Sequence, residues 1–262
     1  MKKLTTMAAA SLLALSGVAQ ADIISDTSDD GDENTLNNLF NNDWIVEGDE
    51  MDVNDEYQTS SAWQIGASGG AFSQIVIQIA GNADQNSFGI YDLNNPNERL
   101  EVFSPTDSET DEHGATATIR YLGGGDFALQ GQEDDTLVNL GSQSFGFYLE
   151  GPGADGTDSG AFFSDRDLNP NGDDQMVAFQ GDDERETDFF DTDPATWMSN
   201  EWILAWEDMV YAESDQDFND FVVAVESVRP VPEPMTLALL GIGLVGMGFV
   251  ARRTRRTGGM AA

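Results

Sequence analysis

The chain has 262 residues, with 48 acids against 11 bases, one histidine and no cysteine, for a formal net charge of −37. Such a polyanion repels phosphate backbones, so nucleic acid is a poor partner. Without cysteine there is no disulfide, thiol nucleophile or thiolate metal site, and a single histidine excludes a multi-histidine centre.

Charge divides the chain into a middle and two ends. Lys2 and Lys3 open it, and Arg252, Arg253, Arg255 and Arg256 close it. Between them lie five arginines and all 48 acids, a net of −43 without a single lysine. Residues 1–21 read as a signal peptide: a Lys2-Lys3 n-region, the apolar stretch Met7 to Val18, and a small-x-small cleavage site at Ala19-Gln20-Ala21.

Residues 22–56 carry 13 acids and no base, and read mostly as a flexible, solvated leader. Within them Leu36, Leu39, Phe40, Trp44 and Ile45 could mark one short docking segment. From Trp63 onward short strand-like runs alternate with turn residues. Phe72 to Ile79, Phe88 with Ile90, Leu100 with Val102, and Thr116 to Leu122 fill an N-terminal β-rich region, 57–141, along with Thr136 to Leu140. A second β region, 142–228, holds Phe145 to Leu149, Met176 to Gln180, Trp202 to Trp206 and Phe221 to Val228. Asn94-Asn95-Pro96, Gly123-Gly124-Gly125, Gly151-Pro152-Gly153 and Asn171-Gly172 are the turn signals between runs. Many short strands and no helical period away from the ends argue an all-β sandwich or jelly-roll-like ectodomain.

Two acidic loops have the chemistry of a calcium site. Asp167-Leu-Asn169-Pro-Asn171-Gly172-Asp173 matches the front half of a calcium loop, where alternating oxygens converge on one ion. Position twelve would be Ala178, which cannot ligate, so a full EF-hand is excluded. The alternative is a plain Pro/Asn-Gly connection. The second set is Glu207-Asp208 with Asp215, Asp217, Asn219 and Asp220. If Trp202–Trp206 and Phe221–Val225 pair as a hairpin, these groups share one end of it. Like charges so close call for a cation or for protonation. The alternative is a solvated acidic turn.

Enzymatic signals are poor. Among 48 acids some pair always satisfies a search for paired carboxylates. His113 lies in a polar turn. Trp197, Trp202 and Trp206 could stack on sugars, but Trp202 and Trp206 share one strand face, which favours core packing.

The C-terminal end, 231–256, runs Val231-Pro232-Glu233-Pro234, then an uncharged Met235 to Val250, then the arginine cluster. Sixteen residues span about 24 Å as a helix, marginal against a hydrocarbon core of about 30 Å. The arginines would stay cytoplasmic and leave the acidic middle outside. Gly241-x-Gly243-x-x-Gly246 mimics a dinucleotide fingerprint, but it lacks the preceding strand. This tripartite tail resembles the PEP-CTERM sorting signal. The resemblance implies an exosortase partner, cleavage near Pro232-Glu233-Pro234, and transient residence in the inner membrane through 235–250. It further implies a Gram-negative bacterium that makes extracellular polysaccharide.

A second resemblance rests on Phe145-Gly-Phe-Tyr-Leu149, Ile203-Leu-Ala-Trp-Glu-Asp208 and Asp215-Gln-Asp-Phe-Asn-Asp-Phe-Val-Val223. These look like the domain of unknown function 4114, over roughly Ser142 to Val228. That family implies a β fold and a place on the bacterial surface, with no established activity. The expectation is therefore a non-enzymatic exported protein, a membrane-anchored precursor first and a cell-surface or matrix protein afterwards. It would be structural or adhesive, stabilised by Ca2+, and able to meet anionic exopolysaccharide through divalent cations. A lectin-like module and a polysaccharide-active hydrolase are the alternatives.

Overall fold

A computed structural model describes residues 23–25, 35–66, 71–78, 85–105, 115–130, 136–154, 157, 160–189 and 193–232, with the backbone alone over 71–78. The signal segment 1–21, His113, Glu233-Pro234, the apolar run 235–250 and the arginine tail lie outside them. No helix among the described residues is long and apolar enough to cross a membrane.

The strands run in chain order as follows. The first half of the chain holds β1 (Ile45–Glu47), β2 (Trp63–Ile65), β3 (Ala71–Gln78), β4 (Ser87–Asp92), β5 (Asn95–Phe103), β6 (Thr116–Gly123), β7 (Asp126–Gln130) and β8 (Thr136–Asn139). The second half holds β9 (Ser144–Glu150), β10 (Phe162–Phe163), β11 (Met176–Gln180), β12 (Glu186–Thr187), β13 (Ala195–Thr196), β14 (Glu201–Trp206), β15 (Phe221–Glu226) and β16 (Val228–Pro230). One sheet has the order β11-β14-β15-β3-β6-β7-β8. The second runs β16-β2-β9-β4-β5, with β10 against β9, and a small third sheet is β1-β12-β13. Strands from 57–141 and from 142–228 share both large sheets, as two adjoining blocks in the first and interleaved in the second, so the two regions form one sandwich. β7 went unforeseen because only Phe127 and Leu129 alternate there. It is joined to β6 by Gly123, Gly124 and Gly125, all at positive φ, a turn other residues resist.

The two large sheets face each other across one core. Phe88, Ile90, Phe145, Phe147 and Trp63 from one sheet meet Phe127, Trp202, Leu204, Trp206, Phe221 and Val223 from the other. All three tryptophans considered as sugar platforms are buried: Trp202 and Trp206 in this core, Trp197 in the next layer.

That next layer corrects the expectation of a solvated leader over its second half. β11, β14 and β15 are apolar on both parities, and Val177, Phe179, Ile203, Ala205 and Val222 point away from the main core. A strand apolar on both faces needs cover on both. Leu36, Leu39, Phe40, Trp44, Met51 and Val53 supply it. They sit on α1 (Leu36–Asn38), a π-turn over Leu39–Trp44, and α2 (Val53–Glu56), with Met51 in the segment just before α2. Asp52 caps α2 by accepting from the Asn54 and Asp55 amides, while Glu56 accepts from the Asp52 amide. Buried Arg185 pins this layer, donating to the Asp49 carbonyl at 3.0 Å and pairing with Glu56 and Asp182.

Candidate metal centre

β14 and β15 pair antiparallel with Trp206 opposite Phe221, so residues 207–220 form the connection of a hairpin. This closes the geometry in which both acidic clusters fall at one strand end. The buried Gln175 staples the loop's near side. Its amide donates to the Met209 carbonyl at 2.6 Å and accepts from the Tyr211 amide at 2.8 Å. Further along, Gln216 and Phe218 take left-handed backbone at φ 67° and 56°. Such conformations cost about 1–3 kcal/mol each in a residue with a side chain. Phe218 is fully buried in the outer layer, and the turn it makes carries Asp217 inward.

Glu207, Asp215 and Asp217 come together, each offering an oxygen within 4.8 Å of the others. Two oxygens on opposite sides of a calcium at 2.3–2.6 Å stand roughly 5 Å apart, so the spacing fits one such ion. Glu207 and Asp217 are both at 0% exposure. Glu207 Oε1 accepts from the Phe218 amide at 2.6 Å, but Oε2 is buried with no hydrogen-bond partner. A buried carboxylate oxygen left unpaired is costly, and a cation among the three acids would satisfy it. Burial above all pushes Glu207 up to about 7, with Asp217 and Asp215 adding to the rise and bonds from Ser214 and the Phe218 amide opposing it. Burial, then the charges of Glu207 and Asp208, push Asp220 up to about 8. Glu and Asp oxygens are a hard donor set that suits calcium better than softer metals.

The other three acidic-loop candidates support rather than join the trio. Asn219 donates its side-chain amide to Asp217 Oδ2 at 2.6 Å and its backbone amide to Oδ1, orienting that carboxylate. Asp220 Oδ2 accepts from the Asp208 amide at 2.9 Å. The Asp208 carboxylate is engaged by Asn86, which donates to its Oδ2 at 2.8 Å. Gly153 passes so close to the Asp208 carbonyl that any Cβ there would overlap it. Asn86 and Gln175 had no signal in sequence, because they reach the loop from 122 and from 32 or more residues away.

The other loop, Asp167 to Asp173, is arranged differently. It forms two short 3-10 turns, Arg166–Leu168 and Pro170–Gly172. Asn169 is buried, with its oxygen accepting from the Phe163 amide and its nitrogen donating to the Phe163 and Asp173 carbonyls. Its amide is spent on fastening β10. Arg166 donates to the Gly172 carbonyl and pairs with Asp174 at 3.3 Å, so a guanidinium closes the loop. Asp167 and Asn171 are exposed, and neither Asp167 nor Asp173 belongs to a set of three acids near enough to share an ion.

Residues 139–228 match the family model for a domain of unknown function, DUF4114, and residues 230–256 match the PEP-CTERM protein-sorting motif. The chain carries a DUF4114 domain and a PEP-CTERM signal. No curated protein and no solved structure matches it. The sorting motif makes the chain an exported, exosortase-processed protein with a membrane-anchored precursor in a Gram-negative bacterium. The DUF4114 match contains the whole acidic hairpin and β9 to β15. Its strands pair with β2, β3 and β4 from outside the match, so it covers part of one sandwich and no separate core.

Proposed function

We propose that this is a non-enzymatic surface or matrix protein whose DUF4114 hairpin is closed by calcium at Glu207, Asp215 and Asp217. The observation that carries the reading is Glu207 Oε2, fully buried, unpaired and set among two further carboxylates. Export requires removal of residues 1–21 after Ala21 and anchoring through a transmembrane helix at 235–250. Exosortase then acts at Pro232-Glu233-Pro234, with Arg252 and Arg253 on the cytoplasmic side. The released −43 section presents a dense carboxylate surface. Divalent ions bridge it to anionic exopolysaccharide, which gives the protein its structural or adhesive role in a biofilm matrix.

Against hydrolysis, both raised carboxylates serve a closed hairpin, and Glu207 has no exposed surface for a substrate to reach. Against sugar stacking, all three tryptophans are buried. Calcium titrated into the chelator-treated chain tests the reading. At a hundred times Kd it should stabilise the fold by about 2.7 kcal/mol, read as a rise in melting temperature. Glu207→Gln should abolish that rise. An unchanged melting temperature in the parent chain would remove calcium from the account.

A further inference from the structure

Ile23–Ser25 lies across the acidic hairpin, about 190 residues away in sequence. The Ser25 amide donates to the Gln216 carbonyl at 2.7 Å. The Tyr211 hydroxyl donates to the Ile23 carbonyl at 2.8 Å. Between these, Asn54 on α2 grips Ile24 at two points: its oxygen accepts from the Ile24 amide at 3.1 Å, and its nitrogen donates to the Ile24 carbonyl at 3.0 Å. The Ile24 side chain is buried in the same layer as Phe218 and Val222. Three residues thus hold four hydrogen bonds and a core position.

What they hold is specific. Gln216 stands between Asp215 and Asp217, two of the three ion-facing acids. Its carbonyl belongs to the peptide plane that joins it to Asp217, so fixing that oxygen fixes the direction in which Asp217 leaves the backbone. Gln216 is in the left-handed region, a conformation that persists only when its surroundings impose it. Its amide donates to Ser214 Oγ and its side chain to the Tyr211 carbonyl, both from within the loop. The Ser25 bond is the restraint that comes from a distant segment.

We propose that Ile23–Ser25 is a positioning strap that sets the Gln216–Asp217 peptide for ion binding, so that the loop's calcium affinity depends on the start of the exported chain. The proposal rests on the calcium reading above. Cleavage after Ala21 leaves Asp22 as the single residue ahead of the strap. Because coupling is reciprocal, calcium in turn tightens the strap.

The test compares the full chain, purified as its host exports it, with Ser25→Pro, which removes the donor N–H, and Ser25→Ala, which keeps it. Calorimetric titration with calcium should show Ser25→Pro roughly three- to tenfold weaker than Ser25→Ala, the range one net hydrogen bond is worth. Amide hydrogen exchange without calcium is the second readout. Ser25→Pro should speed exchange at Gln216, Phe218 and Asn219, and calcium should slow exchange at Ile24 in the parent. Equal affinities in the two variants would overturn the strap, even if Ser25→Pro lowered the melting temperature. If the parent itself bound no calcium, the metal reading would fail. Exchange at Gln216 to Asn219 would then decide the strap alone, with unchanged rates in Ser25→Pro refuting it.

Discussion

The two ends of the larger sheet are treated oppositely. β11, β14 and β15 are buried on both faces, whereas β6, β7 and β8 are buried only toward the facing sheet. On the open face Leu122 and Leu137 stand 53% and 58% exposed, beside Thr116, Arg120 and Asn139. On the covered face Phe40 packs at 0% exposure against Trp44, Phe179 and Trp197. The difference lies in what each half must hold. The covered half ends in the acidic hairpin, and its second layer supplies both Phe218's socket and the Asn54 grip on Ile24. A strand pair open to water on one side could not keep Glu207 and Asp217 fully buried. Cover on the second face creates the desolvation that raises the proton affinity of Glu207.

Truncation separates the halves most widely. Phe40→Ala should cost about 3–5 kcal/mol in urea unfolding, as for other buried aromatic truncations. A loss below about 1 kcal/mol would mean that the Leu36–Glu56 layer is not part of the cooperative fold.

The pH dependence belongs to the covered half. Glu207 and Asp220 are held up at about 7 and about 8 in the fold, while unfolded carboxylates titrate near about 4. Between those limits the ion-free native state keeps protons that the unfolded chain has released, so stability falls as pH rises through that window. The melting temperature without calcium should therefore drop between about pH 5 and about pH 8, and Asp220→Asn should shrink the drop. A temperature that stayed flat or rose over that range would refute the burial-driven shift. Saturating calcium should also shrink it, because the ion replaces the protons.

The smallest effect is expected on the open half. Leu137→Ala should change stability by no more than about 0.5 kcal/mol, since it vacates no core space. A larger loss would reveal a partner on that face.

Strand positions were readable wherever apolar residues alternate, as at Phe145, Phe147 and Leu149, or run unbroken, as from Phe221 to Val225. The hairpin that gathers Glu207 with Asp215 and Asp217 followed from such reading, because its two strands are sequence neighbours. Leu36, Leu39, Phe40, Trp44 and Ile45 were legible as a docking segment and do pack on the sheet, but the cover's reach to Met51 and Val53 was obscured by charge: a turn of acids between apolar anchors reads as solvated until the sheet face beneath it is known. The same limit applied to Asn169, whose calcium-loop spacing gave no hint that its amide fastens Phe163.

Local chemistry, then, was settled by the sequence itself: an acidic exported chain, β-rich, with carboxylates crowded at one turn and a sorting signal at its end. Side-chain period and charge are properties of neighbours along the chain, and they survive without a fold. Which three of those carboxylates face one another, which sheet face is covered, and what grips Gln216 were decided only by tertiary structure. Each depends on contacts between residues far apart in the chain, such as Asn86 with Asp208 and Ser25 with Gln216, and no local pattern encodes them.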